Sequence, residues 1–262
     1  MVHFSGNSRR DFLRSVLPGL AAIPLLGQAP PALIEEIVTA NRILYDQGIV
    51  DAFGHVSARD PQRSDRYWLA RNLAPSLVTE KDVLQYDLNS SLMNEQPGDR
   101  SYLERFIHGE IYRIRPDVMA VVHNHSSSVI PFGVSRAALR PVFHMGSFLS
   151  DVRRWEIRSA SVKPTDMLVR DQALGQSLAQ ALGPAPVVLM RGHGVTVVGA
   201  SIKEAVCRAV YTEMNARIQA QAIALGAQVE YLSKEEAALA TASISGQYDR
   251  PWELWKRRVQ RP

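Results

Sequence analysis

An apolar run that ends in two histidines limits the folds open to this sequence more than any other feature. Val118-Met119-Ala120-Val121-Val122 leads directly into His123-Asn124-His125. A continuous apolar run of this length favours a buried strand. Residues two apart on a strand point to the same face, so His123 and His125 can converge on one ion. The pattern predicts a metal site at the end of a buried strand.

A second apolar segment contributes another histidine. Residues 187–190 are typical of a strand, residues 191–194 form an Arg-Gly-His-Gly turn, and residues 195–198 are typical of the next strand. The two glycines let backbone segments lie close together while the imidazole of His193 projects freely. Three neutral imidazoles and a carboxylate, with one position open for substrate, are typical of a catalytic site for zinc or a similar divalent ion.

Helical periodicity alternates with the apolar strands along the sequence. The spacing of apolar residues predicts helices over about 31–44, 103–115, 170–182 and 201–226. Residues 52–59 and 67–70 are predicted to form a hairpin. This alternation predicts an α/β fold with a central, mainly antiparallel or mixed sheet flanked by helices. From Tyr231 onward we expect helical or irregular structure, with Trp252 and Trp255 in a mobile basic tail.

Length and composition bound the functional classes. The chain has 262 residues, which suits one compact domain, here residues 30–262. The single cysteine, Cys207, excludes an internal disulfide and lies in an apolar-periodic run, so we expect a buried structural thiol. Without the first 29 residues, 27 basic and 25 acidic residues remain. No basic cluster with interleaved aromatics is left, which argues against nucleic-acid binding.

The first 29 residues have the features of an export signal. Arg9-Arg10 precedes an apolar stretch, residues 15–26, which is followed by small residues at a possible cleavage point. This order is typical of a twin-arginine signal and predicts a periplasmic protein; without export the protein would be cytoplasmic. The apolar stretch is short and contains Pro18 and Pro24, so we expect no stable membrane span.

Four motifs resemble the class II aldolase/adducin family over about residues 33–225. They are Gly54-His55-Val56-Ser57, Glu104 followed by Ile111-Tyr112-Arg113-Ile114-Arg115-Pro116-Asp117, Val121-Val122-His123-Asn124-His125, and Arg191-Gly192-His193-Gly194. The resemblance implies a three-layer fold and a homotetramer with the active site at a subunit interface. It also implies carbon–carbon bond chemistry.

The resemblance also selects the fourth metal ligand. Spacing within this sequence does not choose between Glu104 and Glu110. In the family, a carboxylate nineteen positions before the first histidine of the His-x-His pair binds the metal, and that position is Glu104. We therefore expect Glu104, His123, His125 and His193 to bind one zinc, manganese or cobalt ion per chain. The cation would stabilise an anion formed on carbon, and Glu104 would move the proton.

The sequence departs from the sugar-phosphate members of the family where they bind phosphate. It has Gly54-His55, Arg71-Asn72 and Tyr102-Leu103 at the positions of compact phosphate donors. An arginine binds carboxylate well, so a small hydroxy or oxo carboxylate, most simply an aromatic one, is the expected substrate. The resemblance is strongest to the branch of decarboxylases of hydroxylated aromatic or pyridine carboxylates. His55, Ser57 and Arg71 are the expected substrate contacts.

Two further histidines have open roles. His144 lies near the position where sugar-phosphate relatives place a catalytic tyrosine or aspartate. It is either an acid or base supplied to a neighbouring subunit, or a buried residue that only packs. His108, like Glu110, is expected to be structural or exposed.

Three alternatives remain open from the sequence. A true aldolase, acting on a hydroxy-oxo acid or a sugar phosphate, would use the same metal. A non-catalytic scaffold of the adducin kind would keep the fold, although retention of all four candidate ligands argues against it. An exported metal-binding protein without turnover would keep the ligands.

Overall fold

A seven-stranded mixed sheet forms the centre of the molecule. The computed structural model describes residues 1–2, 30–93, 95–161 and 164–260. The strands are β1 (His55–Arg59), β2 (Arg66–Ala70), β3 (Val83–Asp87), β4 (Ala120–Asn124), β5 (Val152–Trp155), β6 (Val187–Met190) and β7 (Gly194–Gly199). Their spatial order is β3-β2-β1-β4-β7-β6-β5. All neighbouring pairs are antiparallel except β5 and β6. The predicted mixed, mainly antiparallel sheet is confirmed, although β3 and β5 were not expected from the sequence.

Helices cover the sheet. They are α1 (Pro31–Asp46), α2 (Phe106–Ile114), α3 (Ile130–Val134), α4 (Gln172–Leu182), α5 (Ile202–Ala224), α6 (Lys234–Ser245) and α7 (Asp249–Val259). Helices α1 and α5 contact each other and pack on the central strands β1, β4 and β7. Helices α2 and α4 contact each other, and α4 packs on β5 and β6. The core between these layers consists mainly of valine, leucine and isoleucine side chains.

Local sequence explains several helix ends. Pro31 occupies the first turn of α1, where a missing N–H has no cost, and Gly48 takes a positive φ of 67° just after the helix. Ser201 caps the long helix α5 by accepting a hydrogen bond from the backbone N–H of Glu204 at 3.1 Å. Asp171 caps α4 in the same way through Leu174 N–H at 2.9 Å.

The C-terminal segment is folded, and the expectation of a mobile basic tail is wrong. Trp252 and Trp255 are only 2% and 6% exposed. Helix α7, which carries them, packs against α1 and α5. At the contact with α1, Lys256 lies 2.9 Å from Glu35. Buried aromatic side chains contribute strongly to a core, so α7 is part of the domain.

Two further expectations concern Cys207 and the N-terminal export signal. Cys207 is buried in α5, as predicted. The proposed export signal falls within residues 3–29, which lie outside the described ranges. Among the helices that are described, none combines the length and the apolar character that crossing a membrane requires.

Candidate metal centre and substrate cavity

The register of the central strands brings histidines together at one end of the sheet. His55, the first residue of β1, lies directly opposite His123 near the end of β4. Residues opposite each other in an antiparallel pair project to the same face, as do residues two apart on one strand. His55, Ser57, His123 and His125 therefore project to the same face. Thr196 of β7, opposite His123 on the other side, completes this row.

The turn between β6 and β7 supplies the third imidazole of the cluster. Gly192 adopts a positive φ of 66°, which reverses the chain just before His193. A Cβ atom at Gly194 would collide with the carbonyl oxygen of Asn124. Glycine at this position thus lets β7 lie close to the end of β4, which places His193 beside His125.

Glu104 approaches from the entrance to α2. It lies in a 3₁₀ turn, Leu103–Arg105, whose backbone kinks at Glu104 with φ −90° and ψ 17°. One carboxylate oxygen, Oε1, accepts a hydrogen bond from the backbone N–H of Val169 at 2.9 Å. The other oxygen, Oε2, lies 3.5 Å from His123 Nε2 and 3.3 Å from His193 Nε2. The carboxylate is therefore held by one oxygen and offers the other to the histidines.

These four side chains, the ligand cluster, have the donor set and spacing of a divalent-metal site. One ligand atom from each of Glu104, His123, His125 and His193 lies within 4.8 Å of all the others. The Nε2 atoms of His123 and His125 are 3.2 Å apart, and those of His125 and His193 are 3.0 Å apart. Nitrogens bound to one tetrahedral zinc ion at about 2.1 Å are separated by about 3.4 Å. Three imidazoles and one carboxylate fit a zinc, manganese or cobalt ion.

Electrostatics in the cluster suit metal binding. Burial, followed by the charges of His123 and His193, lowers the pKa of His125 to about 4. Burial also lowers the pKa of His123. Burial raises the pKa of the Glu104 carboxyl, but interactions with His123 and His193 outweigh that effect and hold the pKa well below its ordinary value. Neutral imidazoles and an ionised carboxylate are the forms that bind cations.

A cavity of about 470 Å³ opens directly above the cluster. Glu104, His125 and His55 contribute polar groups to its wall. The remaining wall is mostly apolar and includes Ala52, Phe53, Leu73, Ala74, Leu77, Leu103 and Leu168. Tyr102 also lines the cavity, and its hydroxyl donates a hydrogen bond to the Leu73 carbonyl oxygen. A small, largely apolar pocket with a few polar groups is the usual form of a small-molecule site.

Behind the cavity wall lies a buried polar network of His55, His108, Ser57 and Tyr112. His55 Nδ1 is 2.7 Å from His108 Nε2, and His108 Nδ1 is 2.6 Å from Ser57 Oγ. Ser57 Oγ is in turn 2.8 Å from the Tyr112 hydroxyl. His55 lines the cavity, and its contact with substrate stays a prediction. Direct contact of Ser57 with substrate is wrong, because its side chain is fully buried and bonds to His108 and Tyr112.

Arg71 does not line the cavity of the single chain. Its guanidinium lies at the end of β2, where Nε donates a hydrogen bond to Asp82 Oδ1 at 2.6 Å. Asp82 also accepts hydrogen bonds from Thr79, which closes a capping box at this turn. The guanidinium predicted to bind the substrate carboxylate is thus bound to a protein carboxylate instead.

His144 lies in a different part of the surface. It is exposed and lines a groove of about 510 Å³ together with Tyr211, Ile244 and Leu254. This groove shares no lining residue with the cavity above the ligand cluster. The alternative in which His144 is a buried packing residue is wrong. Its role toward a neighbouring subunit stays a prediction.

Three groups shape the site through contacts that were not predicted from the sequence. His108 is fully buried and links His55 to Ser57, Tyr102 forms a cavity wall, and the Val169 N–H holds Glu104. Only His108 had a signal in the sequence, because it lies one helical turn beyond Glu104. A backbone donor 65 residues from its acceptor leaves no local pattern.

Comparisons with known proteins agree with this geometry. Residues 35–220 match the family model described as class II aldolase and adducin N-terminal domain. Decarboxylase tropJ of Talaromyces stipitatus is 35% identical over 250 residues, covering 87% of this chain and 94% of that protein. The 3,4-dihydroxyphthalate decarboxylase of Arthrobacter keyseri is 30% identical over 210 residues, covering 78% and 84%. L-fuculose 1-phosphate aldolase from Glaciozyma antarctica has a TM-score of 0.71 at 23% identity, covering 87% and 88%, which shows a common fold.

Proposed function

The chain belongs to the class II aldolase and adducin family, and from this premise we propose that it is a divalent-metal-dependent carbon–carbon lyase of the decarboxylase type. The proposed substrate is a small aromatic carboxylate with a hydroxyl group beside the reacting carbon. The observation that carries the proposal is the convergence of Glu104, His123, His125 and His193 at the floor of a small, mostly apolar cavity. Relatives named as decarboxylases support the choice of reaction.

The cavity supports an aromatic rather than a phosphorylated substrate. Besides Glu104, His125 and His55, only Asn72 and Tyr102 among its lining residues have polar side chains, and the remaining wall is apolar. An aromatic ring would lie against Leu73, Leu77 and Leu168 and exclude water from the reacting carbon. The substrate carboxylate and hydroxyl would face the cluster. Arg71 has no part in this arrangement because it is bound to Asp82.

The protein's own groups divide the work of the reaction. A divalent cation held by the ligand cluster would supply Lewis-acid stabilisation of the electrons that remain when carbon dioxide leaves. Once substrate takes the place of its Oε2 in the cluster, Glu104, ionised and fixed by the Val169 N–H, would accept the proton of the substrate hydroxyl at that oxygen. That proton then goes to the ring carbon that has lost its carboxylate, so the products are carbon dioxide and the shortened aromatic compound.

The assembly is part of the proposal. Three large apolar side chains at the cavity, Phe53, Leu77 and Leu103, are 68%, 62% and 54% exposed in the single chain. Exposed apolar groups around a site favour an interface, and we propose a closed homotetramer in which a neighbouring subunit covers them. The exposed His144 would then act in a neighbour's site. A stable, active monomer in light scattering would contradict this assembly.

Export is proposed on the sequence of the leader alone. A fusion of residues 1–40 to a reporter should reach the periplasm, and replacement of Arg9 and Arg10 by lysine should stop it. A reporter that stays in the cytoplasm with the native leader contradicts the proposal.

A product assay tests the function directly. The metal-loaded protein is incubated with hydroxylated benzoates and phthalates, with hydroxy-oxo acids and with sugar phosphates, and both carbon dioxide and aldehydes are measured. We expect carbon dioxide from a hydroxylated aromatic carboxylate. Aldehyde from a sugar phosphate would instead identify an aldolase, and bound metal without any product would identify a binding protein.

A further inference from the structure

The buried polar network has only two possible arrangements of its hydrogen atoms. Ser57 has one hydroxyl hydrogen and two neighbours, His108 and Tyr112. If Ser57 donates to Tyr112, then His108 carries its hydrogen on Nδ1 and His55 carries its hydrogen on Nδ1. If Ser57 donates to His108, each hydrogen bond reverses, and both imidazoles carry their hydrogen on Nε2. The two arrangements present opposite groups to the cavity.

The hydroxyl hydrogen of Tyr112 decides between the two arrangements. Its side chain is 1% exposed, and within the described part of the chain Ser57 is the acceptor in reach of its hydroxyl hydrogen. Burial raises the pKa of the Tyr112 phenol, so the hydroxyl keeps a hydrogen that needs an acceptor. If Ser57 donated to Tyr112, that hydrogen would be buried without an acceptor, which is unfavourable.

We propose that Tyr112, Ser57 and His108 are positioning residues that hold His55 as an Nε2–H hydrogen-bond donor toward the substrate. Tyr112 donates to Ser57, Ser57 donates to His108 Nδ1, and His108 Nε2–H donates to His55 Nδ1. His55 lines the cavity, and because Nδ1 is bound to His108, Nε2 is the ring nitrogen left for a ligand there. His55 thus recognises an oxygen with a free lone pair, such as a carboxylate or phenolate oxygen, and does not serve as a base.

The identity of that oxygen rests on the proposed function, whereas the direction of the hydrogen bonds does not. Nitrogen NMR of ¹⁵N-histidine-labelled, zinc-loaded protein distinguishes the two neutral forms of each ring. We expect His55 and His108 both to carry hydrogen on Nε2. Hydrogen on Nδ1 of either ring in the wild-type protein overturns the proposal, and this test does not depend on any variant folding.

Two variants test the direction of the network. Ser57→Ala removes the hydroxyl that donates to His108 Nδ1, so neither tautomer of His108 is favoured there, and a second population of His55 with hydrogen on Nδ1 should appear. Tyr67→Phe is the control, because it also removes a buried hydroxyl near His108, but one that bonds to Ser90. An unchanged His55 in Ser57→Ala, or an equal change in Tyr67→Phe, contradicts the assigned role.

Binding of 3,4-dihydroxybenzoate then measures what the donor contributes. With half of the molecules in the competent form, Ser57→Ala should weaken binding about twofold. His55→Phe should weaken it about tenfold or more, and His55→Gln, which keeps an N–H donor, by less than about threefold. Equal losses in the two His55 variants contradict the donor role. If the wild-type tautomers are as expected but no aromatic carboxylate binds, the proposed substrate class fails and the direction of the network stands.

Discussion

Two sets of histidines on one face of the sheet differ in what their ring nitrogens meet. In the ligand cluster, His125 Nε2 lies 3.2 Å from His123 Nε2 and 3.0 Å from His193 Nε2, and Glu104 lies alongside. In the buried polar network, His55 and His108 bond to each other and then to Ser57. Nitrogens that converge on one point can bind a cation. Imidazoles in a hydrogen-bonded chain instead determine which nitrogen of each ring carries the hydrogen. The two sets should therefore respond differently to mutation, metal removal and pH.

The largest expected effect is loss of metal when a ligand is removed. His123→Ala should reduce bound metal from about one ion per chain to almost none, because the cluster loses one of its three imidazole ligands. The affinity for metal should fall by more than the about 10–100-fold that is lost when a residue that only orients a ligand is replaced. His144→Ala, which removes a histidine from a separate groove, is the control for metal content measured by plasma mass spectrometry. Full occupancy in His123→Ala would mean that the cluster is not the site.

Glu104→Gln should separate metal binding from proton transfer. The amide oxygen can still accept from Val169 N–H, so some metal should stay bound. Turnover should fall about 100-fold or more, since a positioned acid or base contributes about 10²–10⁴-fold. Glu110→Gln is the control on the same helix, where the carboxylate pairs with Arg113. Equal turnover in the two variants would remove Glu104 from the mechanism.

The pH dependence of stability should report the buried polar network in metal-free protein. Burial lowers the pKa of His108 to about 3, from an ordinary value of 6.5. Between these values the unfolded chain binds a proton that the folded chain does not, so the free energy of unfolding falls as the pH falls below 6.5. Each such histidine contributes a slope of up to about 1.4 kcal/mol per pH unit.

Urea titrations at several pH values between 6.5 and 5 measure how the free energy of unfolding changes with pH. Ordinary carboxylates titrate below this range. His108→Gln should reduce this slope by about one histidine's share relative to wild type. A slope unchanged by this substitution would show that His108 is protonated in the folded protein, contrary to its place in the network.

The smallest effect is expected from Arg71, which belongs neither to the ligand cluster nor to the buried polar network. Arg71→Ala should leave the Michaelis constant within about twofold of wild type, because the guanidinium is bound to Asp82 and not to the cavity. Loss of this partly exposed ion pair should cost about 1 kcal/mol or less. That corresponds to a fall of about 2–4 °C in the melting temperature. A tenfold rise in the Michaelis constant would restore the substrate contact predicted from the sequence.

The same comparison explains how much of the site the sequence could predict. His123 and His125 are two apart on a strand, and His193 lies between two glycines, so local patterns identify them. Glu104 comes from a distant segment and was selected only by family resemblance. The buried polar network joins β1 to α2. Its members were noticed through family motifs or through spacing from Glu104, but no local pattern shows that they bond to one another.

The misassigned residues show a related limit. Arg71 was assigned to the cavity by its position in the family resemblance and by the affinity of guanidinium for carboxylate, but in the structure it donates a hydrogen bond to Asp82. Trp252 and Trp255 were placed in a mobile tail because basic residues surround them. In the structure their face of α7 packs into the core, while Lys256 pairs with Glu35 of α1. The net charge of this segment alone therefore did not reveal that α7 is an amphipathic helix.

Anomalous diffraction from crystals grown with zinc tests the central claim most directly. The account predicts one strong peak per chain, at bonding distance, about 2.0–2.2 Å, from the Nε2 atoms of His123, His125 and His193 and from Glu104 Oε2. The same peak should be absent from crystals of His123→Ala. No peak at this position in the wild-type protein, or a peak that persists in His123→Ala, would contradict the account.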